Sequence, residues 1–415
     1  MHRRWIGLIA LVAILGFATA QKTLTVWSGY PELEPFYAHV AAQFEAENPG
    51  VKVEILTQPL REYERRLMVT LPANSAGDVL EISSAFAARL VQNGLIPPAS
   101  ADLAALVTGG AYADFYIENA SFEGVVYGVP LFRGQGALFY NTAMFEAAGL
   151  AGPPTTMDEY LEYAKVLTQR DASGEPIVSG WSLRLGGGGS GIAEKFWTIM
   201  HQYGGSIVTQ QPDGTWAADY ANDAGYATLK LYVDLVNKDR VVTPELTGDA
   251  QGFQLQTTAM FIRESWVIGD IAAKSPDLPY ATAVLPRGTI SLPVNLYVTS
   301  SDPLASQYVE AVMRPDNLRW LLANVGWLPN RHDVDYGDII AATPGLDGFI
   351  NVPADQVLFT VPPIEPIDEI QTRLAEHLVR AFTDKSLVDN EAGIRSVLQN
   401  AANETNEILR RAGLR

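Results

Sequence analysis

Three features of this 415-residue chain predict an α/β protein built on mostly parallel sheet. Apolar runs rich in β-branched residues alternate with segments of helical spacing through the first hundred residues after Ala20. Proline and glycine punctuate the changes from one pattern to the other, as at Pro49-Gly50. With 47% apolar residues, the chain is globular and long enough for two domains of ordinary size.

Leu24 to Ser28 ("LTVWS") reads as a strand. Phe36, Val40 and Phe44 then share one helical face, and "VKVEIL" from Val51 is a second strand. A helix through Tyr63, Leu67 and Leu71 follows, then the strand "DVLEIS" from Asp78 and a helix through Leu90 that stops at Gly94. A β-α-β-α-β order calls for right-handed crossovers, helices on both faces and ligands beyond the carboxyl ends of the strands. Attention therefore falls on "SGYPE", "SSAF" and, much later, "RESW". "GVPLFRGQGALFYN" connects to a second unit, in which Thr156 and Glu159 have capping-box spacing ahead of Tyr160, Ala164 and Leu167. More helix is expected near "FWTIMHQYGG", "ATLKLYVDLVNK" and from about Ile370, and strand in "YATAVLP" and "LPVNLYVTS". No internal repeat is visible.

The N-terminus carries Arg3 and Arg4, an apolar stretch from Ile6 to Phe17 and Ala18-Thr19-Ala20, the pattern of a secretory signal peptide cut after Ala20. The stretch is short for a membrane anchor, which needs about 20 apolar residues. No cysteine is present, so neither a disulfide nor an N-terminal lipid is available, and a soluble periplasmic protein is expected. A formal net charge of -18 argues against nucleic acid as a partner, since binding it needs basic surface.

Chemical signatures are sparse. Gly186, Gly188 and Gly191 satisfy G-x-G-x-x-G, but a glycine run satisfies almost any glycine pattern, and the Lys-Ser/Thr of a P-loop is missing. There is no G-x-S-x-G or H-E-x-x-H, and His39, His201, His332 and His377 lack metal-ligand spacing; neither metal nor cofactor is expected. A secreted glycan hydrolase needs only two carboxylates about 5 to 9.5 Å apart, with Glu264 beside Trp266 the first suspect. In "AMFIRESW" an arginine, a glutamate and a tryptophan follow an apolar run. Such a tryptophan is either core or a flat platform for a sugar ring.

Taken in order, "LTVWSGYPELEPFYAHVAAQFEAENPGVKVEI", "DVLEISSAFAARLVQNGLI", "VPLFRGQGALFYNTAMFEAAGLAGPPTTMDEYLEYAKVLT", "HQYGGSI", "TTAMFIRESW" and "ANVGWLPNR" resemble the family 1 extracellular solute-binding proteins, the maltodextrin-binding-protein-like sugar-binding components of ABC importers. The resemblance implies a two-lobe periplasmic-binding-protein fold of type II, each lobe a mostly parallel sheet flanked by helices, with the ligand in the cleft between them. Residues 1-20 would be the signal peptide, 21-131 with 294-328 the first lobe, and 132-293 with 329-415 the second. The partners implied are a small carbohydrate or related solute and the membrane permease subunits, with the protein acting as a monomer that catalyses nothing.

Ligand-facing positions implied by strand ends and resemblance together are Ser28, Tyr30 and Glu32, then Ser83, Ser84 and Phe86, then Arg133 and Gln135 at the hinge, and Trp266, which takes the place of the family's sugar-facing tryptophan. Arg184, Trp197, Arg263, Glu264, Asn295, Trp327 and Arg331 complete the candidate set. Where the maltodextrin binder offers a tryptophan and an aspartate, this chain has Ile82 and Ala85. Maltodextrin is thus not the expected ligand; a neutral sugar or oligosaccharide is, with an acidic sugar or polyol phosphate as the alternative.

Overall fold

The computed structural model describes residues 21–187, 189–350 and 357–415. Residues 1–20, expected to be a signal peptide, and Gly188 of the glycine pattern lie outside the described residues. From the N-terminal side the chain runs β1 (Lys22–Ser28), α1 (Glu34–Glu47), β2 (Val51–Thr57), α2 (Leu60–Thr70), β3 (Val79–Ser83) and α3 (Ser84–Gln92). Pro35 opens α1 in its first turn, where a missing N–H costs nothing. Ser83 caps α3 by accepting the Phe86 N–H at 3.3 Å. β2, β1 and β3 pair in parallel, as crossover helices require.

β4 (Gly128–Asn141) is a single 14-residue strand, which then leads to α4 (Met157–Val166) and α5 (Gly191–Gln202). Thr156 caps α4 as its spacing predicts, but the Glu159 carboxylate takes the N–H of Thr155, one residue before the cap. Next come β5 (Met260–Glu264), α6 (Trp266–Lys274), β6 (Tyr280–Ala283) and β7 (Gly288–Val298). α7 (Pro303–Val312), α8 (Pro315–Asn324), β8 (Leu328–Pro329) and β9 (Val357–Phe359) follow, before the closing helices α9 (Ile367–Phe382) and α10 (Glu391–Arg411).

The main sheet has the order β5-β4-β7-β3-β1-β2. β4 and β7 are the long strands that run between the two lobes. β4 pairs antiparallel with β7 from Gly128 to Gln135, and with β5 from Gly136 to Tyr140. β7 in turn pairs with β9 at Gly288–Ile290 and with β3 at Val294–Val298. Strands that leave one lobe and return to it run in opposite directions, so the crossing pair is antiparallel while β2-β1-β3 stays parallel.

Two large apolar cores result. One packs Val26, Phe36, Tyr37, Val40 and Phe44 against Leu131, Phe132, Leu296, Tyr308 and Leu318. The other packs Tyr160, Trp181, Phe196, Trp197 and Tyr232 against Leu374, Leu378, Phe382 and Leu398 of the closing helices. Val334 also packs in the first core, and nearby Asn330 N–H is held by Leu131 C=O at 3.1 Å. Among the described residues no helix is long and apolar enough to cross a membrane.

Candidate functional site

Beyond the ends of β1, β2 and β5, where parallel crossovers leave room for a ligand, lies a cavity of about 510 Å³. It is walled by the segment after β1 (Tyr30, Glu32), the start of α2 (Arg61, Glu62, Arg65), the loop before α5 (Arg184), α5 itself (Glu194), the end of β5 (Arg263, Glu264) and two tryptophans, Trp266 and Trp327. The size falls within the range of about 300 to 1,000 Å³ usual for small-molecule sites. Four guanidinium groups and four carboxylates line it, so its walls carry no marked excess of either charge.

"RESW" acquires its geometry from β5. Strand alternation buries Glu264 while leaving Arg263 half-buried at the cavity, and Trp266 opens α6 with its ring partly exposed on the same wall. Glu264 is bonded by Lys195 of α5 and by Arg263 Nη1 at 3.1 Å. Burial pushes its carboxyl up, but the charges of Lys195 and Arg263 outweigh that and hold it at about 2. Arg263 also lies 2.8 Å from Asp249, and its guanidinium sits 5.2 Å over the Trp266 ring. Tyr30, also on the cavity wall, meets Trp327 edge-on at 5.7 Å and Phe132 at 5.5 Å, and Trp327 is buried.

The structure brings seven of the candidate positions to this cavity: Tyr30, Glu32, Arg184, Arg263, Glu264, Trp266 and Trp327. Ser83, Ser84 and Phe86 line a smaller adjoining space of about 70 Å³, together with Tyr30, Arg61, Glu64 and Asp368. The remaining six are used elsewhere. Ser28 is fully buried and donates to Glu81 at 3.2 Å. Arg133 bonds the Pro329 carbonyl at 3.0 Å and Gln135 at 3.0 Å, and Gln135 donates to Phe349 C=O at 2.8 Å, so both fasten the crossing strands. Asn295 donates to Asn119 C=O and to Tyr297 Oη, both at 3.1 Å. Trp197 is core, 5.0 Å from Phe359, because α5 is buried on almost every face. Arg331 pairs with Asp333 at 2.6 Å and bonds Met313 C=O at 2.7 Å.

Arg61, Glu62, Arg65 and Glu194 line the cavity without having been singled out in the sequence. "TQPLREYERR" after β2 carries the available signal for three of them, a strand end like those before "SGYPE", "SSAF" and "RESW". Among the described residues, no group of three or more His, Asp or Glu side chains is placed to hold a metal ion.

The model of the bacterial extracellular solute-binding protein family matches residues 39–348. The chain belongs to that family. A binding protein of Brucella abortus (strain 2308) is 25% identical over 298 residues, 69% of each chain. The lactose-binding protein of Rhizobium radiobacter is 24% identical over 281 residues, 65% of this chain and 62% of that one. Among solved structures, an ABC transporter solute-binding protein of Thermotoga lettingae bound with α-D-tagatose superposes with a TM-score of 0.80 at 23% identity, covering 94% of this chain and 100% of that one. The GacH receptor of Streptomyces glaucescens does so with a TM-score of 0.80 at 20% identity, covering 94% and 99%. At these identities the structures establish the two-lobe fold, and the family establishes solute binding.

Proposed function

We propose that this solute-binding protein is the periplasmic, monomeric receptor of an ABC importer and captures a neutral sugar or oligosaccharide between its lobes, releasing it unchanged to the permease. The observation that carries the reading is the cavity wall itself: the partly exposed Trp266 ring offers a flat apolar face and the largely buried Trp327 adds apolar wall, while four arginines and four glutamates supply donors and acceptors of balanced charge. A pyranose presents the matching surfaces, an apolar ring face and a rim of hydroxyls. The sugar-binding relatives and structural neighbours, among them the lactose binder and the tagatose complex, support the same solute class. Glu264 does not fit the hydrolase alternative as its acid, because a carboxyl held at about 2 has no proton to give near neutrality.

One observation favours an acidic sugar or polyol phosphate instead. Arg184 is half-buried at the cavity and has no ion pair or hydrogen bond among the described residues. Thermal unfolding across neutral saccharides, the matching uronic acids and polyol phosphates separates the two readings, since a ligand at 100 times its Kd adds about 2.7 kcal/mol of stability. A neutral saccharide is expected to stabilise the protein and to be recovered intact. Stabilisation by the acids alone, abolished in Arg184→Gln, would replace the neutral reading, and recovery of cleaved glycan would replace transport by hydrolysis.

A further inference from the structure

We infer that Arg61 is a strap that ties the two lobes together across the glycine-rich loop and holds the protein closed. Arg61 belongs to α2 of the first lobe. Its Nη2 donates to Ser190 Oγ of the second lobe at 2.7 Å, and Ser190 Oγ donates onward to Glu194 Oε1 at 2.7 Å. Nη1 is bonded by Glu64 Oε2 at 2.7 Å, and Asp368, at the start of α9, lies 4.0 Å away. One guanidinium thus joins α2 to both α5 and α9, and it stands in the wall shared by the large cavity and its smaller neighbour.

The glycine run provides the second, independent observation. Gly189 has φ +73°, and a Cβ there would lie 2.6 Å from Arg61 Nε and 2.9 Å from Cζ. The guanidinium therefore rests against bare backbone in a conformation that favours glycine, and a side chain at this position would push the guanidinium aside. Gly189 and Ser190 are thus read as the seat of the strap, and a nucleotide is not needed to explain them.

Glu64 makes the strap sensitive to pH. Burial raises its carboxyl to about 7, against the opposing pull of Arg61 and with added repulsion from Asp368 and Glu194. The other titratable groups in its field are Tyr30 and Tyr63, both neutral across the range considered. Asp368 and Glu194 belong to the second lobe, so opening removes their repulsion and lowers Glu64 from its closed-form value of about 7. The closed form then binds the proton more tightly than the open form. Closure is strongest below the open-form value and weakens as pH rises through about 7.

The strap rests on the reading that the lobes close over a solute, and its test needs no solute. Because the chain has no cysteine, Asp102→Cys and Glu162→Cys place one spin label on each lobe at exposed positions. Electron–electron distance measurements on the ligand-free protein should show a closed population. Arg61→Ala and Gly189→Ala should each raise the open-to-closed ratio roughly three- to tenfold, as loss of a partly exposed charged bond implies. Glu64→Gln should remove the change in that ratio between pH 6 and pH 8. Unaltered melting and circular dichroism would show that the variants fold. A protein already fully open without ligand, or folded variants with the distances of the parent, would overturn the strap while leaving sugar binding to be judged by the saccharide panel.

Discussion

Glu81 on β3 and Glu264 at the end of β5 are both strand carboxylates withdrawn from water, one in each lobe, yet they are kept in opposite charge states. Among the described residues no cation pairs with Glu81. Burial pushes its carboxyl up to about 8, and the bonds from Tyr37 and Ser28 only moderate the rise, so at neutral pH it is a protonated group inside a hydrogen-bonded cluster. Glu264 is as deeply buried but faces Lys195 and Arg263, and stays ionised down to about 2. Burial sets the cost of a charge, and the neighbours decide whether the charge is kept. The ionised centre is the one at the candidate cavity, where it pairs with Arg263, whose guanidinium lies over Trp266. The neutral one holds β1, α1 and β3 together behind it.

The comparison would break most visibly at Lys195. Lys195→Met leaves Glu264 buried with one cation in place of two, and should cost about 3 kcal/mol or more of unfolding free energy, read from urea denaturation. Glu81→Gln should cost far less at pH 7, since it replaces a neutral group by a neutral group of similar shape. Equal losses in the two variants would mean that the charge states are wrongly assigned.

Trp266→Ala should come next in size. It should weaken saccharide binding by about 1 to 3 kcal/mol while the protein stays folded, whereas Tyr37→Phe in the neutral cluster should leave affinity unchanged. Calorimetric titration with the saccharide selected by the thermal panel provides the check. Unchanged affinity in a destabilised Trp266→Ala would make the ring a core element.

The pH dependence of stability should have opposite signs for the two groups. Glu81 is raised from about 4.5 to about 8, so its contribution is full below about 4.5 and falls by about 1.4 kcal/mol per pH unit as pH rises towards 8. Glu264 is lowered, so its contribution is present above about 4.5 and is lost as pH falls towards 2. Glu81→Gln should flatten the stability profile only between about pH 4.5 and 8, and Glu264→Gln only between about pH 2 and 4.5. The smallest effect is expected from Tyr37→Phe, about 1 kcal/mol, the ordinary worth of one lost hydrogen bond.

Much of the fold was legible because the patterns that reveal it are local. β1, β2, β3 and the helices between them announce themselves through runs such as "LTVWS" and "DVLEIS". The site was legible only in part. Trp266 and Arg263 could be found because they follow a strand directly. Lys195 could not, since in "GIAEKFW" it looks like any helical surface charge, and its partner Glu264 is 69 positions away. Ser28, Gln135 and Asn295 misled for the converse reason: a polar residue near a strand end is as useful for fastening buried backbone as for meeting a ligand.

β3 gains its second neighbour only when β7 arrives, and the bond from Thr299 N–H to Asp78 C=O, at 3.0 Å, spans 221 positions. At a synthesis rate of about 5 to 20 residues per second, the ribosome needs roughly 10 to 40 s to make that stretch. Throughout that interval the first lobe has an unpaired sheet edge and cannot complete its core, so early residues must wait for late ones. The nascent chain is thereby kept from folding too soon by its own connectivity. Such a delay would suit the export before folding that the proposed periplasmic role requires.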